Sequence, residues 1–385
     1  MRFSPLVIFW TLWFLNFSSR TVLSPLLPII EDEAVLSHAQ AGSLFTFLSL
    51  GYTIMLVSAG LLSPWAGYKR SIAGGFLILA AGIFSLRYSR MYLPMVMSVL
   101  VIGIGAGLYM PSIIPMITSI FRREKWGRVI SIHSSAAGCC VFAVPLLVAL
   151  GLRFLEWRSL LFILGWACII ATAFFWIFTS DVRPQKEPGV SLFSVMRRLD
   201  FWIITFVWTL AVCSGLGIYS VTPLFLVKER GLSMELANSV FGVSRVGGLF
   251  FIILAGFLAD RYGARRVLFL VILLTGLCTI GLAMVRTFPL LVTMLVAQGT
   301  VCTGVFPVGH MIVSGLTTLR ERSIFVGGVL AIAGICGAGL TPVALGAIAD
   351  VRDFQSGILV VGVIGCLSCL SLRGLQRETA PVAST

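Results

Sequence analysis

The chain has 385 residues, of which 58% are hydrophobic and only 11% charged, with a mean hydropathy of +1.03. Soluble domains carry about a quarter charged residues, so this composition excludes an ordinary soluble enzyme or binding module and places the chain in a membrane. The net charge of +13 is distributed along loops, and nucleic-acid binding is not needed to account for it.

Apolar runs punctuated by glycine, proline and charge predict twelve spanning helices, each near the roughly 20 residues a bilayer demands. In chain order they lie near 6–30, 40–62, 71–87, 93–120, 128–150, 158–180, 201–227, 237–259, 266–285, 288–316, 323–349 and 355–372. The first run has no small-residue cleavage site and reads as a span rather than a removed signal. After span six comes the longest polar connection, residues 180–200. It divides the chain into an N-terminal six-helix bundle (1–180), a cytoplasmic linker (181–200) and a C-terminal six-helix bundle (201–385). The predicted fold class is therefore all-α integral membrane, with two pseudo-symmetric six-helix bundles.

With the N-terminus in the cytoplasm, eighteen of the 28 basic residues fall on the cytoplasmic side, eight on the other, and two (Arg20 and Arg245) inside spans. Both termini are then cytoplasmic, in an inner membrane. All nine cysteines lie in apolar segments, which is no disulfide framework, and the Cys366–Cys369 pair reads as helix packing.

The halves repeat. A shift of 196 residues lays Gly51 on Gly247, Gly60 on Gly256, Gly67 on Gly263 and Gly103 on Gly299. Six spans followed by a parallel copy imply an alternating-access carrier with its site between the halves at mid-membrane.

"GFLADRYGARR" (256–266), after span eight, carries Gly256, Asp260, Arg261, Gly263, Arg265 and Arg266. Gly263 permits a tight turn, Asp260 can pair with arginines or a helix N-terminus, and the arginines hold the loop inside. The stretch resembles the loop signature of the Major Facilitator Superfamily, whose members are secondary transporters. The resemblance implies that these six residues form a latch steadying one access state. The first-half copy (60–70) keeps Gly60, Gly67, Lys69 and Arg70, but Pro64 and Trp65 replace the Asp-Arg pair. Span four has Val99 where a family motif has arginine, and span five has Pro145 without the Gly-Pro of drug antiporters. Both departures count against drug/proton antiport.

Ionisable groups within spans are functional candidates. All fifteen acids lie in loops or at span ends, whereas Arg20 and Arg245 fall about 3 Å and about 4–5 Å outside the predicted midplane. Guanidinium is permanently charged and bidentate toward oxyanions, so the expected partner is an anionic small-molecule substrate. The competing reading has Arg20 snorkelling outward or pairing with the acids at 31–33, and Arg245 satisfied by helix-end carbonyls. Asn16, Tyr52, Tyr109, Tyr219 and Gln298 are further substrate-binding candidates, each also readable as an interhelical hydrogen-bonding residue. His133 and His310 are candidates for handling a coupling proton, each also readable as a neutral, hydrogen-bonded histidine. Prolines 111, 115, 145, 307 and 342 predict kinked gating helices.

The chain is thus expected to be a monomer that moves a small carboxylate-like anion through the lipid bilayer, without cofactor, metal or nucleic acid. Efflux of drugs or neutral metabolites, and a transport-inactive receptor on the same fold, are the alternatives. No nucleophile–base set, metal cluster or phosphate loop points to an enzyme.

Overall fold

A computed structural model describes residues 5–182 and 192–374, without the side chains of 60–65, 123, 192, 319, 320, 323 and 373. The expected linker positions 183–191 and the side chains of Pro64 and Trp65 lie outside the described residues. Twelve helices among the described residues are long and apolar enough to cross a membrane: Pro5–Ala34, His38–Ala59, Tyr68–Tyr88, Tyr92–Ile120, Trp126–Gly151, Trp157–Phe178, Leu199–Lys228, Met234–Tyr262, Ala264–Met284, Phe288–Leu316, Ile324–Val351 and Phe354–Leu372. They are numbered as spans one to twelve. All nine cysteines are free. Cys366 packs against Gly276 of span nine, where a Cβ would lie 2.5 Å from its sulfur.

Six spans are interrupted within their length, and span twelve ends in a 3-10 turn at Cys369–Gly374. Span one is Pro5–Thr21 and Leu23–Ala34, and span four is Tyr92–Gly107 and Tyr109–Ile120. Span seven contains a π-helical turn at Cys213–Gly217, span ten a 3-10 turn at Cys302–Gly304, and span eleven a π-helical turn at Gly334–Leu340. Span eight is Met234–Val243 and Val246–Tyr262, parted at Ser244 and Arg245. Proline explains three of these. A proline denies a donor to the carbonyl four residues back and crowds it. For Pro111, Pro307 and Pro342 that carbonyl belongs to Gly107, Thr303 and Ala338, each at or inside an interruption. Pro145 differs, because Trp126–Gly151 runs without a break around it.

The described chain forms two compact units. The first comprises Met1–Glu187, Ser220–Gly242 and Pro342–Asp350. Glycines set its closest helix contacts: a Cβ on Gly103 of span four would lie 2.2 Å from the Leu48 carbonyl oxygen of span two. Gly105, two residues on, faces span three with equal intimacy, a Cβ there lying 2.4 Å from the Leu79 nitrogen. Span one packs on span five, where Ser18 and Thr21 each approach the Cys140 sulfur at 3.3 Å. Asp350 caps the start of span two, its carboxylate accepting from the His38 and Ala39 amides at 2.8 and 3.0 Å. Lys228 pairs with Asp32, and Asn238 donates to the Pro25 carbonyl at 3.1 Å.

The second unit comprises Pro188–Tyr219, Val243–Thr341 and Val351–Thr385. Phe201, Trp208, Phe325 and aliphatic residues of spans seven, nine, ten and eleven form its core. The two π-helical turns meet through glycine: a Cβ on Gly217 would lie 2.7 Å from the Gly337 carbonyl oxygen.

Gly103→Val should destabilise the detergent-purified protein by about 1–3 kcal/mol, the usual cost of overpacking. Gly74→Ala is its control, because a Cβ there meets nothing within 4 Å. Equal thermal melting of the two variants would contradict the packing described for spans two and four.

Candidate functional site

The second unit holds Arg245 at the parting of span eight. The residue is 6% exposed and stands just before Val246–Tyr262 with φ −91° and ψ −12°. Its Nη1 donates to Gln298 Oε1 of span ten at 3.2 Å. Gln298, fully buried, in turn donates from Nε2 to the Ser214 carbonyl at 2.5 Å, inside the π-helical turn of span seven. The guanidinium also lies over Tyr219, 5.5 Å from the ring centre. One charged and one amide side chain therefore tie three interrupted spans together.

Small residues make room for this arrangement. A Cβ on Gly299 would fall 3.0 Å from Arg245 Nη1 and 2.9 Å from the Ser244 carbonyl oxygen. A Cβ on Gly247 would fall 2.2 Å from Thr300 Oγ1. Spans eight and ten consequently approach at backbone distance beside the charge, and Thr303 Oγ1 donates to the Gly248 carbonyl at 3.2 Å.

The first unit holds Arg20, in the last turn of Pro5–Thr21, just before span one's break at Val22. Its Cζ lies 4.4 Å from the Tyr52 ring centre, 4.7 Å from Phe17 and 5.7 Å from Trp13. Such contacts are worth about 0.5–2 kcal/mol, more when water is excluded. Pairing with the acids at 31–33 does not occur: Glu31 meets His38 and Lys228, Asp32 meets Lys228, and Glu33 meets Arg158 and Trp157. Asn16, one turn below Arg20, is fully buried and donates to the Ala106 carbonyl of span four at 3.2 Å.

Tyr109 and His133 are brought together with Trp13, a residue that the sequence reading passed over. Tyr109 donates its hydroxyl to the Phe9 carbonyl at 2.8 Å and stands 3.0 Å from His133 Nε2. Trp13 and Tyr109 stack with centroids 5.5 Å apart and planes within 6°, and His133 stacks on both. Trp13 thus touches both the Arg20 cage and this buried trio. Trp13, Asn16, Phe17 and Arg20 fall at helical spacing, which is the signal that marks Trp13 and Phe17 as neighbours of the charge. His310 stands apart in the second unit, exposed, with its ring edge-on to Trp208 at 4.8 Å.

In the loop after span eight, Gly263 has φ +91° and ψ +133°, a region open in practice to glycine alone. Arg265 donates to the Leu372 carbonyl at 2.5 Å, tying the loop to span twelve. Asp260, Arg261 and Arg266 are exposed, and a Cβ on Gly256 would meet nothing within 4 Å. In the first-half copy Gly67 has φ +91° and ψ +142°, and a Cβ there would lie 3.4 Å from the Asp181 carboxylate. No group of three or more metal-ligating side chains occurs among the described residues.

Twelve helices of spanning length, with irregular backbone beside a buried charge, define a multi-pass membrane protein. Residues 9–250 and 207–384 match the Major Facilitator Superfamily, and the chain belongs to that family of transport proteins. It is 23% identical over 275 residues to a hexuronate transporter of Bacillus subtilis (strain 168), covering 64% of this chain and 61% of that protein. Over 124 residues it is 31% identical to a gallate transporter of Pseudomonas putida, covering 31% of this chain and 27% of that one. The chain thus spans less than two thirds of the length of these relatives. Its fold matches a bacterial homologue of the human lysosomal transporter Spinster with a TM-score of 0.85, at 16% identity and covering 97% and 96% of the two chains.

Gln298→Ala should cost about 1–3 kcal/mol, because it removes the acceptor for Arg245 and the donor for the Ser214 carbonyl. Gln298→Glu would instead set a carboxylate beside Arg245 and should raise the melting temperature above that of the alanine variant. Wild-type melting of Gln298→Ala would show that the amide bridge contributes nothing.

Proposed function

We propose that this chain is a secondary transporter that carries a small organic or inorganic anion across the inner membrane by alternating access. The carrying observation is Arg245: a guanidinium buried at a helix break and held by a neutral amide, in a chain whose fifteen acids all lie in loops or at span ends. An intramembrane charge is costly enough to be kept for a purpose, and guanidinium suits carboxylate and other oxyanions. Arg20 supplies a second such group from the first half of the chain. The names of the hexuronate and gallate relatives describe carboxylate cargo and support the reading.

In this mechanism the six-span halves, 1–180 and 201–385, rock about the cargo with both termini in the cytoplasm. The interrupted spans are the parts able to bend, since backbone there is already released from regular hydrogen bonding. Asp260 and the arginines of its loop act as a cytoplasmic latch that one access state makes and the other releases. The monomer is the working unit. His133 and His310 are the groups able to accompany the anion with a proton.

Arg245→Gln should abolish anion uptake or exchange in proteoliposomes while leaving a folded, monodisperse protein. Undiminished anion transport by that variant would sink the assignment. Movement of only neutral or cationic drugs by the wild type would replace the anion reading with efflux.

A further inference from the structure

Arg20 presents a more specific chemistry than charge alone. Its Nε and Nη2 atoms are buried and have no hydrogen-bond partner among the described residues. These two atoms share the in-plane edge of a guanidinium, from which two parallel N–H bonds can reach both oxygens of one carboxylate. The guanidinium lies over three rings, Tyr52, Phe17 and Trp13. An aromatic ring attracts the cation but cannot accept as a carboxylate does. Buried donors left unmade are expensive, and more so on a charged group.

Arg20, Phe17 and Tyr52 are all partly exposed, whereas Trp13 behind them is buried. The accessible part of the site is therefore two flat apolar walls and part of the guanidinium, and its buried Nε and Nη2 edge is reached by moving the rings aside. Span one is interrupted immediately after it, at Val22, and span four is interrupted beside Tyr52. A Cβ on Gly107, at that second interruption, would lie 2.5 Å from the Tyr52 carbonyl oxygen. Tyr52 is thus carried on a backbone contact between two spans, one of which is broken at the point of contact.

We infer that Arg20, Phe17 and Tyr52 form a binding site for a carboxylate borne on a flat aromatic body. The carboxylate takes the Nε and Nη2 fork, and the ring of the ligand stacks on Tyr52 and Phe17, displacing their present contact with the guanidinium. This deepens the anion-transport reading and rests on it. A spherical or monodentate anion would use the charge but leave one donor unmade, and a neutral aromatic would use the walls and leave both.

The test uses the detergent-purified full chain and measures binding of benzoate, acetate, benzamide and chloride by calorimetry. Benzoate should bind wild type more tightly than acetate, with benzamide and chloride weaker still. Arg20→Lys keeps the charge but loses the fork, and should weaken benzoate about tenfold or more, the scale of one charge-assisted hydrogen bond. Tyr52→Ala should abolish the preference for benzoate over acetate while acetate binding persists. Melting temperatures of both variants report folding, and Tyr52→Phe, which retains the ring, should bind benzoate as wild type does. Wild-type benzoate affinity in Arg20→Lys, or chloride binding as tightly as benzoate, would overturn the inference. If Arg245→Gln loses anion transport while Arg20→Lys retains full benzoate binding, the transport reading survives and this site does not. If neither substitution alters the handling of any anion, both readings fall.

Discussion

Every backbone donor and acceptor within hydrocarbon must find its partner inside the protein. The Arg245–Gln298–Ser214 chain meets that requirement with side chains, because the Ser214 carbonyl takes its donor from Gln298. One side chain brings a charge, the second is an amide that donates and accepts, and the third group is a carbonyl released by a π-helical turn. Remove the turn and the carbonyl returns to its own helix. Restore a side chain at Gly299 and the guanidinium loses its space. The irregular backbone of span seven, the parting of span eight and the glycines of span ten are consequences of housing one cation.

The architecture was legible because hydrophobic length is a coarse and strong signal. Span edges differ chiefly where polar residues continue a helix beyond its apolar run. Span one reaches Ala34 rather than stopping near residue 30 because Glu31, Asp32 and Glu33 are helical and find partners in His38, Lys228 and Arg158. Hydropathy registers their charge, not their helicity. The turn at Gly263 was readable from one residue, since the positive φ it adopts leaves few alternatives.

The surroundings of the charges were less legible, for a physical reason. Gln298 and Arg245 are 53 positions apart, and their bond depends on how closely two helices approach. Sequence shows that Gly299 is small but not what fills the space beside it. The π-helical turns at 213–217 and 334–340 have no residue signature of their own beyond a richness in glycine. Asn16 shows the converse difficulty: its spacing from Arg20 suggests a shared task, yet its amide nitrogen turns to the Ala106 carbonyl of span four. Buried amides satisfy whichever backbone the packing delivers.

Gly67 and Gly263 hold almost the same backbone angles at equivalent places in the two halves, although the residues before them have diverged from Asp260 and Arg261 to Pro64 and Trp65. Shape has outlasted chemistry in this pair. Backbone at φ +91° with ψ of +133° to +142° is closed in practice to any residue with a Cβ, so a substitution at that position is strained whatever the loop is for. A lost carboxylate is punished only if its partner is still needed. Duplicated proteins should therefore retain their stereochemical constraints longest, and the older symmetry of such a chain is better sought in its Ramachandran angles than in its charges.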